Sequence, residues 1–396
     1  MTTRPAALVS ATLVPATVLA AAESYLRPHL VRLPPALAVR LYARGRRLAL
    51  ASLARRQPTP RLVPAGLERT LWGLTFRAPL LNAAGLWKSG APDGYRLAVA
   101  QGAGGWLVGT TTHRPRPGNR RRGIAQPFAP YPRSRAASNW LGLPNPGHAA
   151  VAKALASLIA AGERVDGCPI GASLALDPAG DEVPETQRLA ELVVGLERYA
   201  DAGVDFLEIN ESCPNTEADV AGFEALERRL DHVAARFLSR RERPPVIVKL
   251  SCDTPLESVA PLVDLLVERG VDGINFGNTS TAYRVLRPDI DRRELRLFDH
   301  FTSTFGGGLS GHPLRPLSLE LCRAAARRLA ERPPAHEVHI VRTGGVESSG
   351  DIERSLDVGA SLAQWYTGYF ERFAAVGHDV YAGLWSDLET SLDRGP

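Results

Sequence analysis

From residue 70 onward the chain alternates between short apolar runs, each the length of one buried strand, and amphipathic helical stretches. The runs are PLLNAAG (79–85), GGWLVGTTT (104–112), PIGASLA (169–175), DFLEINES (205–212), PPVIVKLS (244–251), DGINFGNT (272–279), VHIVRTGG (338–345) and SLAQWYTG (361–368). Between them lie helical patterns such as ETQRLAELVVGLERYADAG, DTPLESVAPLVDLLVERG and PLSLELCRAAARRLAER. Strands covered on both faces by crossover helices lose the apolar–polar alternation and read as continuous apolar runs, so the pattern argues a parallel sheet. Eight such strands close naturally into an α/β (β/α)8 TIM barrel. An open doubly wound sheet is the competing arrangement, but no G-x-G-x-x-G turn follows the first run. Ahead of the first run, RTLWGLTFRAP (69–79) alternates like a short hairpin.

The N-terminal part has a different character. Residues 6–22, AALVSATLVPATVLAAA, are apolar, with only Arg4 before them and Pro15 inside. The charged start of a signal peptide is thin here, and the stretch is short of the ~20 uninterrupted apolar residues a spanning helix needs. Residues 24–57 then carry eight arginines and no acid. Leu37, Val39, Leu41, Leu48, Leu50 and Leu53 interleave with Arg40, Arg44, Arg46, Arg47, Arg55 and Arg56, the spacing of two short basic amphipathic helices. Two readings stay open: helices lying on an anionic membrane surface, or a helical cap on the barrel. PTPRLVP (58–64) reads as the linker, which divides the chain into an extension (1–57) and a barrel domain (58–396).

Composition bounds the chemistry. A net charge of +5 over 396 residues permits an anionic substrate or a lipid surface without demanding nucleic acid. The four cysteines, Cys168, Cys213, Cys252 and Cys322, have no C-x-x-C spacing. They fit a reduced cytoplasmic protein and give a zinc or iron–sulfur site no support. Of 47 basic residues only three are lysines, Lys88, Lys153 and Lys249. Asparagine and methionine are scarce too, as codon pressure against A and T would produce. Under that pressure a surviving lysine is enriched where a compact ammonium is needed rather than a planar fork. Lys153 falls on the solvated face of HAAVAKALASLIAAG, whereas Lys88 and Lys249 each follow or end a strand.

The rare residues collect where a barrel places its chemistry, at the C-terminal ends of the strands. Lys88 follows strand one, Thr110 to Thr112 end strand two, and Ser173 lies in strand three. Asn210 and Cys213 end strand four, Lys249 strand five, and Asn278 and Thr279 strand six. TGG (343–345) and YTG (366–368) end the last two, and Asn139 and Asn145 sit together in NWLGLPN. Asparagine offers donor and acceptor at once, so a ring of amides suits a planar heterocycle with alternating N–H and C=O groups. Glycine turns such as GGGLSG (306–311) and TGG present backbone N–H groups to a phosphate. Cys213, before Pro214, is placed as an acid/base or a nucleophile. Each signal has a bland reading on its own: a GG turn is usually a turn, and a buried cysteine is usually packing. A phosphate-binding barrel isomerase or lyase would share the glycine turns without requiring the amides.

Taken together, NAAGLWKSG, GTTTHRPRPGNRRR, NWLGLPN, INESCPNT, GNTST, GGGLSG, TGG and YTG, in this order, resemble the motifs of the dihydroorotate dehydrogenases, FMN-dependent barrels of pyrimidine biosynthesis. The resemblance covers residues 24 to 370. It implies that Ala84, Gly85, Thr110, Lys249, Gly311, Gly344, Gly345, Tyr366 and Thr367 hold FMN, joined by Ser173, Asn210 and Ser310. It implies that Lys88, Asn139, Asn145, Asn210, Asn215, Asn278 and Thr279 hold dihydroorotate, or a related cyclic amide in a paralogue. Cys213 would take the substrate's C5 proton as hydride leaves C6 for flavin N5, with Lys88 beside it. The basic extension is like that of the membrane-associated class, which passes electrons to a quinone at the inner face of the cell membrane. The cysteine is like that of the soluble class, which leaves quinone, fumarate and NAD⁺ open as acceptors. Glu211 stands where the family prefers an apolar residue, and Trp87 where the extended class has an aspartate.

Overall fold

The structure, a computed structural model, describes residues 14–30, 32–55, 57–178, 183–211 and 222–393. All eight expected strands form, and they pair in one sheet. They are β1 (Leu80–Asn82), β2 (Trp106–Thr111), β3 (Ile170–Leu174), β4 (Phe206–Asn210), β5 (Val246–Leu250), β6 (Gly273–Phe276), β7 (His339–Thr343) and β8 (Leu362–Trp365). The hydrogen-bonded order β1-β8-β7-β6-β5-β4-β3-β2 is parallel throughout. Only the seam between β1 and β2 remains, and Asn82 stitches it. Its amide donates to the Leu107 carbonyl at 2.7 Å and accepts from the Leu107 N–H at 3.2 Å. Below it the Gly104 N–H donates to the Leu80 carbonyl. A Cβ at Gly104 would lie 1.9 Å from the Ala78 carbonyl oxygen, so the seam closes only with glycine there.

The hairpin Arg69–Leu71/Leu74–Phe76 plugs the N-terminal end of the barrel. Its Leu71 and Phe76 pack with Leu81, Leu107, Phe206, Ile247, Val341 and Leu362 inside the sheet. The larger core lies between the sheet and its surrounding helices.

At the opposite end two excursions meet. The loop after β2 contributes Phe128–Tyr131 and Ala136–Asn139, and the loop after β6 contributes Gly308–Gly311. These pair as a three-stranded antiparallel sheet that the linear sequence reading missed. The N-terminal helices α1 (Ala16–Leu30) and α2 (Pro35–Leu53) rest beside it. Ala38, Val39, Tyr42 and Ala43 of α2 are buried against Ile124, Tyr131, Phe298 and Phe301. The cap reading is therefore met on the inward face of α2. On its outward face Leu37 and Leu41 remain exposed beside Arg40 and Arg44. No helix among the described residues is long and apolar enough to cross a membrane.

Candidate active site

Successive residues of a strand point to opposite faces, so inward positions recur at every second residue. The lowest inward layer is the apolar plug. Two residues further along the same strands stand Ser173, Glu208, Lys249, Asn275, Thr343 and Gln364, all but Thr343 buried. This polar layer is closely wired. Glu208 accepts from Ser173 Oγ at 3.0 Å on one oxygen. On the other it accepts from Asn275 Nδ2 at 2.9 Å and Gln364 Nε2 at 2.8 Å. Lys249 Nζ donates to Gln364 Oε1 at 3.2 Å and lies 3.9 Å from Glu208. Thr343 Oγ1 donates to Asn275 Oδ1 at 2.9 Å.

Above this layer opens a cleft of roughly 870 Å³. Its walls bring together Ala84, Gly85, Lys88, Thr110, Asn139, Asn210, Lys249, Asn278, Thr279, Ser310, Gly311, Gly344, Gly345, Tyr366 and Thr367 from every quarter of the sequence. Two ammonium groups line the cleft; among its lining residues there is no carboxylate. Asn278 Nδ2 donates to Asn210 Oδ1, Asn210 Nδ2 donates to Thr110 Oγ1, and Thr110 pairs with Ser173 Oγ, each at 3.0 Å. Asn278 Oδ1 also accepts from the Thr279 N–H at 2.8 Å. Each amide thus has its orientation fixed by these bonds. At the other end the Ser310 and Thr367 hydroxyls lie 2.9 Å apart, where the helix Thr367–Val376 begins. The first N–H groups of a helix have no intrahelical acceptor, which makes this an anion-receptive corner.

Two expected residues stand back from the cleft. Ser173 is fully buried in the polar layer and reaches the walls only through Thr110. Asn145 spends its amide on its own loop. It accepts from the N–H groups of Thr112 and Gly147 and donates to Thr112 Oγ1 and the Leu143 carbonyl. Cys213 and Asn215 lie outside the described residues. Just before that segment, Glu211 forms a buried pair at 2.7 Å with Arg229 of the helix that follows it. That pairing is the physical reason a carboxylate is tolerated at 211. Trp87 lies beside β2, bridged to Val108, and fills space that Gly94 leaves open by lacking a Cβ.

Sequence reading passed over Glu208, Asn275 and Gln364, although each is a polar residue two places after an apolar or glycine one in a buried run. A second cavity, of roughly 1120 Å³, lies under α1 and α2. Leu19, Ala20, Ala49, Phe128, Phe370 and Phe373 give it mainly apolar walls, and Tyr366 and Thr367 line both spaces. Arg46 of α2 donates to the Tyr366 hydroxyl at 2.7 Å. At the rim Glu23 pairs with Arg27 at 2.7 Å, and Arg27 with Glu371 at 3.3 Å.

A family model for dihydroorotate dehydrogenase matches residues 66–388. The dihydroorotate dehydrogenase (quinone) of Parvibaculum lavamentivorans is 33% identical over 347 residues, 86% of this chain and 87% of that protein. The protein of the same name from Cyanothece sp. is 30% identical over 349 residues, covering 86% and 85%. The crystal structure of ligand-free DHODH from Eimeria tenella aligns with a TM-score of 0.71 at 22% identity, covering 89% of this chain and 95% of that one, which speaks to the fold. The matched region runs from just before the plug hairpin into the last helix, and the chain belongs to the dihydroorotate dehydrogenase family, oxidoreductases that act on a CH–CH bond.

Proposed function

We propose that the protein oxidises dihydroorotate to orotate in pyrimidine biosynthesis, with FMN in the strand-end cleft and a quinone as electron acceptor. The observation that carries this reading is a convergence: Lys88 and Lys249 line one cleft with the amides of Asn139, Asn210 and Asn278, a set suited to an anionic ring bearing N–H and C=O groups. The donor set fits a flavin mononucleotide. Gly311, Gly344, Gly345, Ser310 and Thr367 would take the phosphate, and Ala84, Gly85, Thr110, Asn210, Tyr366 and Lys249 the ring system. FAD fits less well, since the chain has no dinucleotide fingerprint. When bound, FMN supplies a hydride acceptor at N5 and a store from which electrons pass onward.

The chain's own residues do the rest. Lys88 holds the substrate carboxylate. Asn139, Asn210, Asn278 and Thr279 hold the ring's amide edges, with Asn215 carried over from the resemblance. Cys213 takes the proton from C5 while the C6 hydrogen leaves as hydride, so the C5–C6 single bond becomes double. A thiolate near an ammonium is a competent base around neutral pH. The second cavity would admit the quinone, because its apolar walls end at Tyr366 and Thr367, the two residues it shares with the cleft. The outward leucines and arginines of α2 would rest on an anionic lipid surface, a weak contact that salt releases.

The test is optical. Purified protein should be yellow, bleach anaerobically with dihydroorotate, and regain colour faster with a short-chain quinone than with fumarate or NAD⁺. Colourless protein that cannot be reconstituted with FMN removes the cofactor. Bound FMN that dihydroorotate does not bleach moves the substrate to a related cyclic amide.

A further inference from the structure

The barrel's polar layer contains a fully buried carboxylate, Glu208, that the proposed reaction does not use. A carboxylate removed from water is costly unless it is paired and hydrogen-bonded. Glu208 meets both conditions: three side-chain donors and the Lys249 ammonium 3.9 Å away. Its neighbours are not arbitrary. Lys249 lines the cleft directly above, and the chain Ser173–Thr110–Asn210–Asn278 climbs from Glu208 to the amides of the same cleft.

We propose that Glu208 is a positioning residue that sets how much positive charge Lys249 presents to the cofactor, while anchoring the hydroxyl–amide chain that fixes Asn210 and Asn278. The inference rests on FMN occupying the cleft. A reduced flavin carries negative charge, and an ammonium beside it favours that state. A carboxylate close to the same ammonium partly cancels its field, so the pair holds the flavin's affinity for electrons below what Lys249 alone would impose. Electrons taken from substrate then remain transferable to an acceptor.

Glu208→Gln isolates the charge, because geometry lets every hydrogen bond survive. The amide oxygen can take the place that accepts from Asn275 and Gln364. The amide nitrogen can then donate to Ser173 Oγ, whose own proton turns to Thr110. The measurement is the midpoint potential of FMN bound to the holoprotein, at one fixed pH for all variants. The expected result is a shift of tenfold or more toward reduced flavin, about 30 mV upward for a two-electron couple. In a Lys249→Met background the same change should move the potential less, since no ammonium remains 3.9 Å away for the carboxylate to hold in place. Should Glu208→Gln fail to fold, Glu208→Asp keeps the charge but withdraws it from Lys249 and should move the potential the same way by less. An unchanged potential with FMN bound overturns the proposal, as does an equal shift with and without Lys249. If unaltered protein takes up no FMN, the cofactor reading falls and this one with it, a result visible before any variant is made.

Discussion

The strand-end cleft and the cavity under α1 and α2 touch at Tyr366 and Thr367, yet they are built in opposite ways. The cleft takes its walls from strand ends whose spacing the backbone ladder fixes, and its polar groups are tied to one another beneath the surface. The cavity takes its walls from side chains of packed helices and two strands of the three-stranded sheet, and its Glu23, Arg27 and Glu371 pair with one another. A barrel closed by hydrogen bonds holds directional groups to a fraction of an ångström, which a charged planar substrate requires. Helix packing supplies apolar volume with looser demands, which suits a ring recognised mainly by burial. Substitutions should therefore act sharply and on one half-reaction in the cleft, and gradually on the other half-reaction in the cavity.

The largest expected effect tests that separation directly. Cys213→Ala should slow anaerobic bleaching by dihydroorotate about 10²–10⁴-fold, the usual worth of a general base. Reoxidation of chemically reduced enzyme by a short-chain quinone should keep its rate. Stopped-flow absorbance follows both steps, and equal slowing of the two would mean that the regions do not work separately. Serine at 213 should recover part of the bleaching rate with an optimum at higher pH.

The two regions should also respond to pH in opposite senses. His148, next to β2 and 1% exposed, bonds Thr111 Oγ1 at 3.0 Å, and burial pushes its imidazole down to about 3. The unfolded chain binds a proton near pH 6.5 that the folded one refuses, so this contribution is full above pH 6.5 and is lost as pH falls toward 3. Its full size is of order 3–5 kcal/mol. In the cavity wall burial, partly opposed by Arg27, raises the Glu371 carboxyl above its ordinary value. That group favours the folded state below the ordinary carboxylate range and ceases to as pH rises through its folded value. Melting curves across pH should show a flattened acid limb in His148→Gln, and in Glu371→Gln less loss of stability on going toward neutrality. A His148→Gln profile matching the unaltered protein would show that the cleft's frame does not depend on a neutral imidazole.

The same contrast explains what could be read from the linear chain. All eight barrel strands were legible because a strand buried on both faces announces itself over five or six consecutive residues. The ring of Lys88, Thr110, Asn210, Lys249 and Asn278 was legible because strand ends converge in any barrel. The three-stranded sheet was not. Its strands are four residues long, begin or end among prolines and glycines, and pair Ala136–Asn139 with Gly308–Gly311 across some 170 positions. The walls of the second cavity were equally hidden, since no local pattern says that Ala20 and Phe373 face the same space. Glu208 was in plain view within DFLEIN, but only the closed barrel shows that residues 173, 208, 249, 275 and 364 share one layer. Asn145 looked like its neighbour Asn139 until its four hydrogen bonds were found within its own loop.

Filling the cavity should give a smaller and graded loss. Ala49 of α2 lines the cavity, and Ala49→Phe would place a ring in the space offered to the acceptor. Shape changes of this kind in an apolar pocket cost about 1–3 kcal/mol of binding, so quinone reoxidation should fall roughly 10–200-fold. Bleaching by dihydroorotate should not change. Loss of bleaching instead would place the larger ring's effect in the cleft and merge the two spaces.

The smallest effect is expected where a lysine belongs to neither region. Lys153 stands exposed on the helix His148–Ala160, and its backbone carbonyl accepts from Ser157 Oγ at 3.0 Å. Arginine supports a helix as well as lysine and is equally at home in water, so Lys153→Arg should stay within about 0.5 kcal/mol in stability. Both half-reactions should be unaffected. Lys249→Arg makes the informative partner, because Lys249 is buried with its ammonium 3.2 Å from Gln364 Oε1, and a planar guanidinium cannot occupy the volume of a compact ammonium. That variant should lose FMN or reduce it slowly, and Lys88→Arg should chiefly weaken dihydroorotate binding. Three lysines in a chain that otherwise uses arginine are then separated by surroundings alone. If Lys153→Arg proves as damaging as the other two, scarcity of lysine carries no information about the cleft.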